Sequence, residues 1–206
     1  MSGGHGPTGS PPPPPSWLKT SSLPILELPK ATSVVRIHRT EYDPVFFSPG
    51  SGNAPIGRFD SPSGSFGVLY LAQALEGAFA ETILRNPQRR LVDLSEITSR
   101  AASVLGFSRE IRLVKMFGAG LQSVGTDNAV STGPYELCGM WADALFAHPD
   151  APDGIAYSSR HDSEQLCIAL FSRSDIELEL LSGPTPLSDI LPDVASILRR
   201  YDKGIA

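Results

Sequence analysis

The sequence is poor in charge, in basic residues and in long apolar stretches. Charged residues make up 19 % of its 206 residues, and Asp and Glu outnumber Lys and Arg by 22 to 17, which gives a formal net charge of -5. A chain without a basic excess has no general electrostatic attraction for nucleic acid. No apolar run approaches the roughly 20 residues of a membrane helix, and no signal peptide is readable. We therefore expect a cytoplasmic protein that binds neither nucleic acid nor a membrane.

Cysteine and the common catalytic motifs are also scarce. The chain has two cysteines, Cys138 and Cys167, which lack CxxC spacing and a neighbouring histidine cluster. Two buried thiols are therefore favoured over a disulfide or a metal site. The sequence contains no GxSxG, HExxH or Walker pattern, which argues against the enzyme classes that depend on those motifs.

Proline and glycine are concentrated at the N-terminus. Five consecutive prolines, residues 11–15, follow a glycine-rich stretch. This composition predicts a disordered leader over residues 1–30 and a single folded domain over residues 31–206. The leader favours the polyproline II conformation, and a solvated spacer is a simpler interpretation than an SH3-type ligand. Apolar residues from Trp17 to Leu28 leave the boundary open between residues 16 and 30.

Short apolar runs interrupted by Gly and Pro predict an α+β fold from residue 34 onward. The predicted strands are residues 34–38, 68–72, 91–94, 111–117, 154–158, 166–171 and 176–180, and the predicted helices are residues 74–84, 95–105, 135–146 and 187–199. Residues 43–65 contain too many Pro and Gly for a regular element. Long loops in compact domains are usually functional.

Two arginines and a tyrosine are candidates for ligand binding. Arg36 lies in an otherwise apolar strand, where a guanidinium needs an anionic partner, either a carboxylate of the chain or a phosphate. Arg58 follows Gly57 at the end of the Pro- and Gly-rich loop, and it is either a surface residue or a phosphate ligand. Tyr70 is either a half-buried core residue or a platform for a flat ring.

A glutamate and a polar strand end complete the candidates. Glu81 lies more than about 100° from the apolar stripe of its predicted helix, so it does not face the main core and is either solvated or functional. Hydroxyl, guanidinium and imidazole side chains are dense at the end of the predicted strand 154–158, including Ser159. This density suggests a site without identifying its chemistry.

The order of these motifs resembles the RES-domain family from about residue 34 to 171. The matching motifs are Arg36, Gly57-Arg58-Phe59, Leu69-Tyr70-Leu71-Ala72, Ala78-Phe79-Ala80-Glu81 and Gly154-Ile155-Ala156-Tyr157-Ser158-Ser159-Arg160-His161. The resemblance implies a compact mixed fold similar to ADP-ribosyltransferases. It also implies a toxin that degrades NAD+ as its substrate, acting as an NAD+ glycohydrolase or phosphorylase without a metal or resident cofactor, and a helical antitoxin as partner.

Carried onto this sequence, the family's catalytic residues are Glu81, Arg36 and Ser159, and its substrate-binding residues are Arg36, Arg58, Tyr70 and Ser159. Arg39 is an alternative to Arg36, and Ser158 an alternative to Ser159. A carboxylate would stabilise the oxocarbenium-like centre formed when nicotinamide leaves. Three questions stay open at this point: whether water or phosphate is the acceptor, whether the enzyme instead modifies a protein or is an idle binding module, and whether it is a homodimer.

Overall fold

A computed structural model of the protein describes residues 9–49 and 53–206. The strands are β1 Ile25–Leu28, β2 Ser33–Arg39, β3 Val68–Ala72, β4 Leu91–Val92, β5 Arg100–Phe107, β6 Ile111–Met116, β7 Gly154–Ser158, β8 Leu166–Phe171, β9 Leu178–Pro186 and β10 Gly204–Ile205. The α-helices are α1 Leu75–Thr82, α2 Leu94–Thr98, α3 Ala119–Val124, α4 Ala129–Thr132, α5 Tyr135–Phe146 and α6 Leu191–Arg200, with 3-10 helices at Ser16–Thr20 and Leu187–Ile190. This mixture confirms the α+β prediction.

Eight strands form one mixed sheet in the order β1-β6-β7-β8-β3-β2-β5-β9. Adjacent strands in this sheet run antiparallel, except for β6 and β7, which run parallel to each other. The neighbouring strands β2 and β3 are paired only at Val35 and Ala72. Beyond that pair the strands separate, and an opening forms in the middle of the sheet.

Apolar residues pack on both faces of the sheet. On one face, Phe79 of α1, Trp141 of α5 and Val194 of α6 are fully buried in the larger core cluster. On the other face, Val45 and Phe47 of the loop after β2 pack over a smaller cluster that includes Leu69 and Leu105. The Pro- and Gly-rich loop thus covers sheet surface in addition to framing the opening.

One predicted helix is wrong. The sequence predicted a helix over residues 95–105 with Ser95 as its cap, but the helix is only Leu94–Thr98, and the side chain of Asp93 caps it by accepting the Ser95 N–H at 2.8 Å. Residues 100–107 form β5, which pairs with β2 and β9. Pairing with the two neighbouring strands overrides the local helix propensity of the segment. The first six residues of β5 alternate between partly buried and buried positions, as expected of a strand within a sheet.

The predicted disordered leader also needs correction. Ile25–Leu28 is an edge strand of the main sheet, paired with β6, and Leu18 is 2 % exposed. The Nε1–H of Trp141 donates to the carbonyl oxygen of Pro12 at 2.8 Å. Residues 11–30 therefore belong to the folded unit, because their few apolar side chains and carbonyls find partners on the domain. Residues 1–8 lie outside the described residues.

Candidate active site

A cleft of about 410 Å³ opens where β2 and β3 separate. It is lined from β2, β3, α1, the loop before β3, the start of α5, and the strands and turn around residue 160. Its polar lining residues include Arg36, Arg58, Asp60, Tyr70, Glu81, Arg85, Arg100, Tyr135, Tyr157, Arg160 and His161. Four of the five residues predicted for the site, all except Ser159, thus line one cavity, although they come from widely separated parts of the chain.

Ser159 lies directly behind the glutamate of the cleft. Its hydroxyl donates to Oε1 of Glu81 at 2.6 Å, and it is 3 % exposed. The hydroxyl oxygen of Ser159 accepts the backbone N–H groups of His161 and Asp162 at 3.1 and 3.3 Å. Ser158, the alternative, stays in the register of β7 opposite Leu166. The turn after β7 therefore places Ser159, and not Ser158, against Glu81.

Arg58 is buried without a carboxylate partner. Its side chain is held from three sides: Nη1 donates to the carbonyl oxygen of Gly133 at 2.5 Å and contacts Sγ of Cys138 at 3.8 Å, and the guanidinium lies 4.8 Å from the centre of the Tyr135 ring. A guanidinium on a residue only 8 % exposed thus lies at the cleft with carbonyl, sulfur and ring contacts in place of an ion pair. A cation–π contact and a carbonyl support the cation but do not neutralise it.

Arg36, on β2, is also held by a backbone carbonyl. Its Nη1 donates to the carbonyl oxygen of Pro44 at 2.6 Å. Burial lowers the pKa of the guanidinium to about 10, and the Asp43 carboxylate opposes this shift, so the group is protonated at neutral pH. Arg39, the alternative, is not among the cleft residues and lies 3.9 Å from Glu41 in an exposed pair.

Tyr70 braces the loop that carries Arg58. Its hydroxyl donates to Oδ1 of Asp60 at 2.9 Å and accepts the backbone N–H of Phe59 at 2.8 Å. The other oxygen of Asp60 accepts the N–H groups of Ile56 and Gly57 at 2.8 and 2.6 Å. Gly57 sits so close to the Tyr70 ring that an added Cβ would lie 2.4 Å from the hydroxyl oxygen. Burial and the neighbouring carboxylate raise the pKa of this tyrosine.

The cleft is positively charged although the protein is acidic. Five arginines and two carboxylates line it, and the Asp60 carboxylate is already bonded to Tyr70 and two N–H groups. Across residues 9–49 and 53–206, no ion pair includes any of these five arginines. Unpaired guanidinium groups in a concave site concentrate positive potential. The arrangement suits a ligand with two adjacent phosphates and leaves Glu81 available to a cationic centre.

The site residues chosen from the sequence did not include several residues of the cleft. Tyr135, Arg85 and Tyr157 line it, and Arg85 reaches the Tyr135 hydroxyl at 3.3 Å. His161 also lines it, and burial lowers the pKa of its imidazole while Glu81 opposes the shift. The polar density after β7 was a usable signal for His161. No local signal marked Tyr135, because it reaches the cleft only through the packing of α5.

The described residues contain no cluster of His, Cys, Asp and Glu placed to hold a metal ion. Among these same residues, no helix has the length and apolar character needed to cross a membrane. The thiol of Cys167 lies at the cleft, and burial raises its pKa.

The fold and the motifs in the cleft define the class of the protein. The RES domain family model matches residues 33–186, so the chain belongs to the RES domain family. A curated protein from Sinorhizobium fredii, named "Probable toxin y4kH", is 30 % identical over 116 residues, which are 55 % of this chain and 89 % of that protein. A chain of the M. tuberculosis MbcT-MbcA toxin-antitoxin complex superposes with a TM-score of 0.54 at 12 % identity, covering 86 % of this chain and 91 % of its own. The predicted family and mixed fold are thus confirmed.

Proposed function

We propose that this protein is a toxin of a toxin–antitoxin system that degrades NAD+ by cleaving its nicotinamide–ribose bond. The observation that carries the proposal is the Glu81 carboxylate, held by Ser159, in the same cleft as the unpaired cations Arg36 and Arg58. The toxin name of the S. fredii relative and the toxin–antitoxin complex with a similar fold support the biological context. NAD+ is the substrate here and not a resident cofactor.

The cleft residues match the charges of NAD+. Arg36 and Arg58 would bind the pyrophosphate, since guanidinium groups donate to phosphate oxygens in pairs. Tyr70 would add an aromatic surface for nicotinamide, although its hydroxyl already braces the Arg58 loop. Glu81 would then face the ribose carbon that becomes positive as the bond breaks.

The reaction needs no acid. When the bond between C1′ and the ring nitrogen breaks, its electron pair goes to the nitrogen and neutralises the pyridinium, so nicotinamide leaves without a proton. The positive charge moves to the ribose ring, where the Glu81 carboxylate stabilises it. An oxygen of water or phosphate forms the new bond to C1′, and water also releases a proton. Ser159 fixes the carboxylate so that little reorganisation is needed.

A helical antitoxin that covers the cleft is the proposed partner. The related fold in a toxin–antitoxin complex supports a protein partner, and a carboxylate of that partner would pair with Arg36 or Arg58 in place of the pyrophosphate. If so, NAD+ and the antitoxin compete, and saturating NAD+ weakens antitoxin binding to the Glu81→Gln protein. An antitoxin affinity that is indifferent to NAD+ would place the partner elsewhere.

Incubation of the purified full chain with NAD+ tests the proposed activity. Separation of nicotinamide, ADP-ribose and ADP-ribose phosphate, with and without inorganic phosphate, identifies the acceptor. Glu81→Gln should reduce turnover by a factor of about 100 or more, whereas Glu76→Gln on the same helix should not. Release of nicotinamide with ADP-ribose attached to protein would identify a protein-modifying enzyme. Intact NAD+ after long incubation with the wild type would refute the proposal.

A further inference from the structure

Residues 9–18, here called the N-terminal strap, pack against the part of the chain that holds α3, α4 and α5, where they contact Gly125, Gly133, Trp141 and His148. Pro11 is buried, and Pro15 has the φ of -70° and ψ of 150° that are typical of polyproline II. Leu18 ends the strap, with its side chain in the core and its carbonyl oxygen 3.0 Å from Nε2 of His148. The strap lies outside the part of the chain that the family model matches, which starts at residue 33.

The strap contacts the short segment whose residues hold the side chain of Arg58. This segment, here called the 133–135 loop, runs from the end of α4 to Tyr135, the first residue of α5, and it supplies both the Gly133 carbonyl and the Tyr135 ring that contact the guanidinium. At Gly133, an added Cβ would lie 2.6 Å from Cδ of Pro11 and 3.2 Å from the carbonyl oxygen of Gly9. The strap therefore packs against the loop with no space for a side chain between them.

A second contact fixes the strap to the helix that continues from this loop. Trp141 of α5 is fully buried, and its indole N–H donates to the Pro12 carbonyl oxygen at 2.8 Å. Aromatic residues that donate to the carbonyls of a proline-rich segment are a common way to bind polyproline II, because the segment loses little conformational entropy. The chain uses this mode of recognition within itself.

We propose that the N-terminal strap positions Arg58 for an anionic ligand, with Pro11 and Pro12 acting as positioning residues through the 133–135 loop. Without the strap, Gly133 loses the packing behind it, and Trp141 loses the acceptor of its N–H. The loop then gains freedom, and the Gly133 carbonyl and the Tyr135 ring no longer hold the guanidinium at one place. The identity of the ligand as NAD+ rests on the proposed function, whereas the link between strap, loop and Arg58 does not.

Deletion of residues 1–16 tests this link, with Pro13→Ala, at an exposed position of the strap, as the matched control. We expect the deletion to raise the Kd for inorganic pyrophosphate, measured by calorimetry, about tenfold, which corresponds to the loss of one charge-assisted contact. It should raise the KM for NAD+ by a similar factor and leave kcat within about twofold. Pro13→Ala should change neither.

A double-mutant cycle separates positioning from general loosening. In an Arg58→Ala background the same deletion should change the pyrophosphate Kd less than about twofold, because the residue through which the strap acts is gone. An equal effect of the deletion with and without Arg58, or no effect on the wild type, would overturn the proposal. If the deletion variant does not fold, Trp141→Phe, which removes only the N–H donor and part of the ring, takes its place in the same cycle.

Hydrogen exchange gives a readout that does not depend on any ligand. The amides of residues 135–139 should exchange faster in the deletion variant, while those of Leu166–Phe171 in the middle of the sheet should not change. If the wild type binds neither NAD+ nor pyrophosphate, the proposed function fails, and hydrogen exchange alone tests whether the strap orders the 133–135 loop. Unchanged exchange at residues 135–139 in the deletion variant would reject that role, and a local increase would support it.

Discussion

The hydroxyl of Ser159 has only one proton, and it donates that proton to Glu81. Its oxygen accepts the N–H groups of His161 and Asp162, so both of its acceptor positions are occupied by backbone donors. The hydrogen must then point to Oε1 of Glu81 at 2.6 Å. A turn that follows β7 thereby fixes the direction of a carboxylate on α1, and the two motifs that are far apart in the sequence form one unit.

Ser159→Ala should impair both stability and activity. It leaves two partly buried N–H groups without their acceptor, which costs about 1 kcal/mol or more, and it frees the Glu81 carboxylate to rotate. NAD+ turnover should fall about tenfold or more in the folded fraction. Ser158→Ala is the matched control. Its free energy of unfolding, measured in urea, should differ from that of the wild type by no more than about 0.5 kcal/mol. If Ser158→Ala has the larger effect on turnover, the assignment of the serine is wrong.

Arg58→Lys should raise the KM for NAD+ about tenfold with a smaller change in kcat. A guanidinium can bond the Gly133 carbonyl through one nitrogen and offer its other N–H groups to a phosphate, whereas an ammonium lacks this fork. Arg39→Lys, at an exposed residue outside the cleft, is the control. Steady-state kinetics of both variants measure the difference, and equal KM values would remove Arg58 from the binding site.

Tyr70→Phe separates bracing from stacking. The variant keeps the ring but loses the hydroxyl that accepts from Phe59 and donates to Asp60, so it should lower stability by about 1–3 kcal/mol and raise the KM for NAD+ by loosening the Arg58 loop. Tyr42→Phe, at an exposed tyrosine, should change neither. If Tyr70→Phe behaves like the wild type in both kinetics and thermal unfolding, and only Tyr70→Leu is impaired, the ring is the functional part.

Stability should depend on pH through Asp162, which anchors the turn after Ser159. The Tyr201 hydroxyl donates to its Oδ2 at 2.6 Å, and this bond is the main cause that lowers the pKa of the Asp162 carboxyl. Because the pKa of Asp162 in the folded protein lies below the ordinary Asp value of about 3.9, its carboxylate stabilises the fold at pH values above about 3.9. This contribution is lost as the pH falls from that value through the lowered pKa. Tyr201→Phe should therefore cost about 1 kcal/mol at pH 7 and progressively less below about pH 4. A pH-independent difference in unfolding free energy would contradict this origin.

Local patterns were sufficient to predict many of the elements. The strand at Val68–Ala72 and the helix at Tyr135–Phe146 agree with the structure, because alternation and a 3.6-residue stripe reflect burial directly. The region around residue 100 was misassigned as helix, since its strand character comes from pairing with β2 and β9. The extent of order in the leader was predicted too low. Its proline-rich composition does not reveal that the Trp141 indole donates a hydrogen bond to the carbonyl oxygen of Pro12.

The sequence by itself determined the family, the order of the motifs and a set of candidate residues that line the cleft. An arginine in an apolar strand and a glutamate away from the apolar stripe of its helix can be recognised from the sequence pattern alone. Only the tertiary structure decided which serine reaches Glu81, that Tyr70 braces a loop, and that Arg58 is held by Gly133 and Tyr135. These contacts join residues 10 to 78 positions apart. Such contacts depend on how strands separate and helices pack, and no local periodicity encodes them.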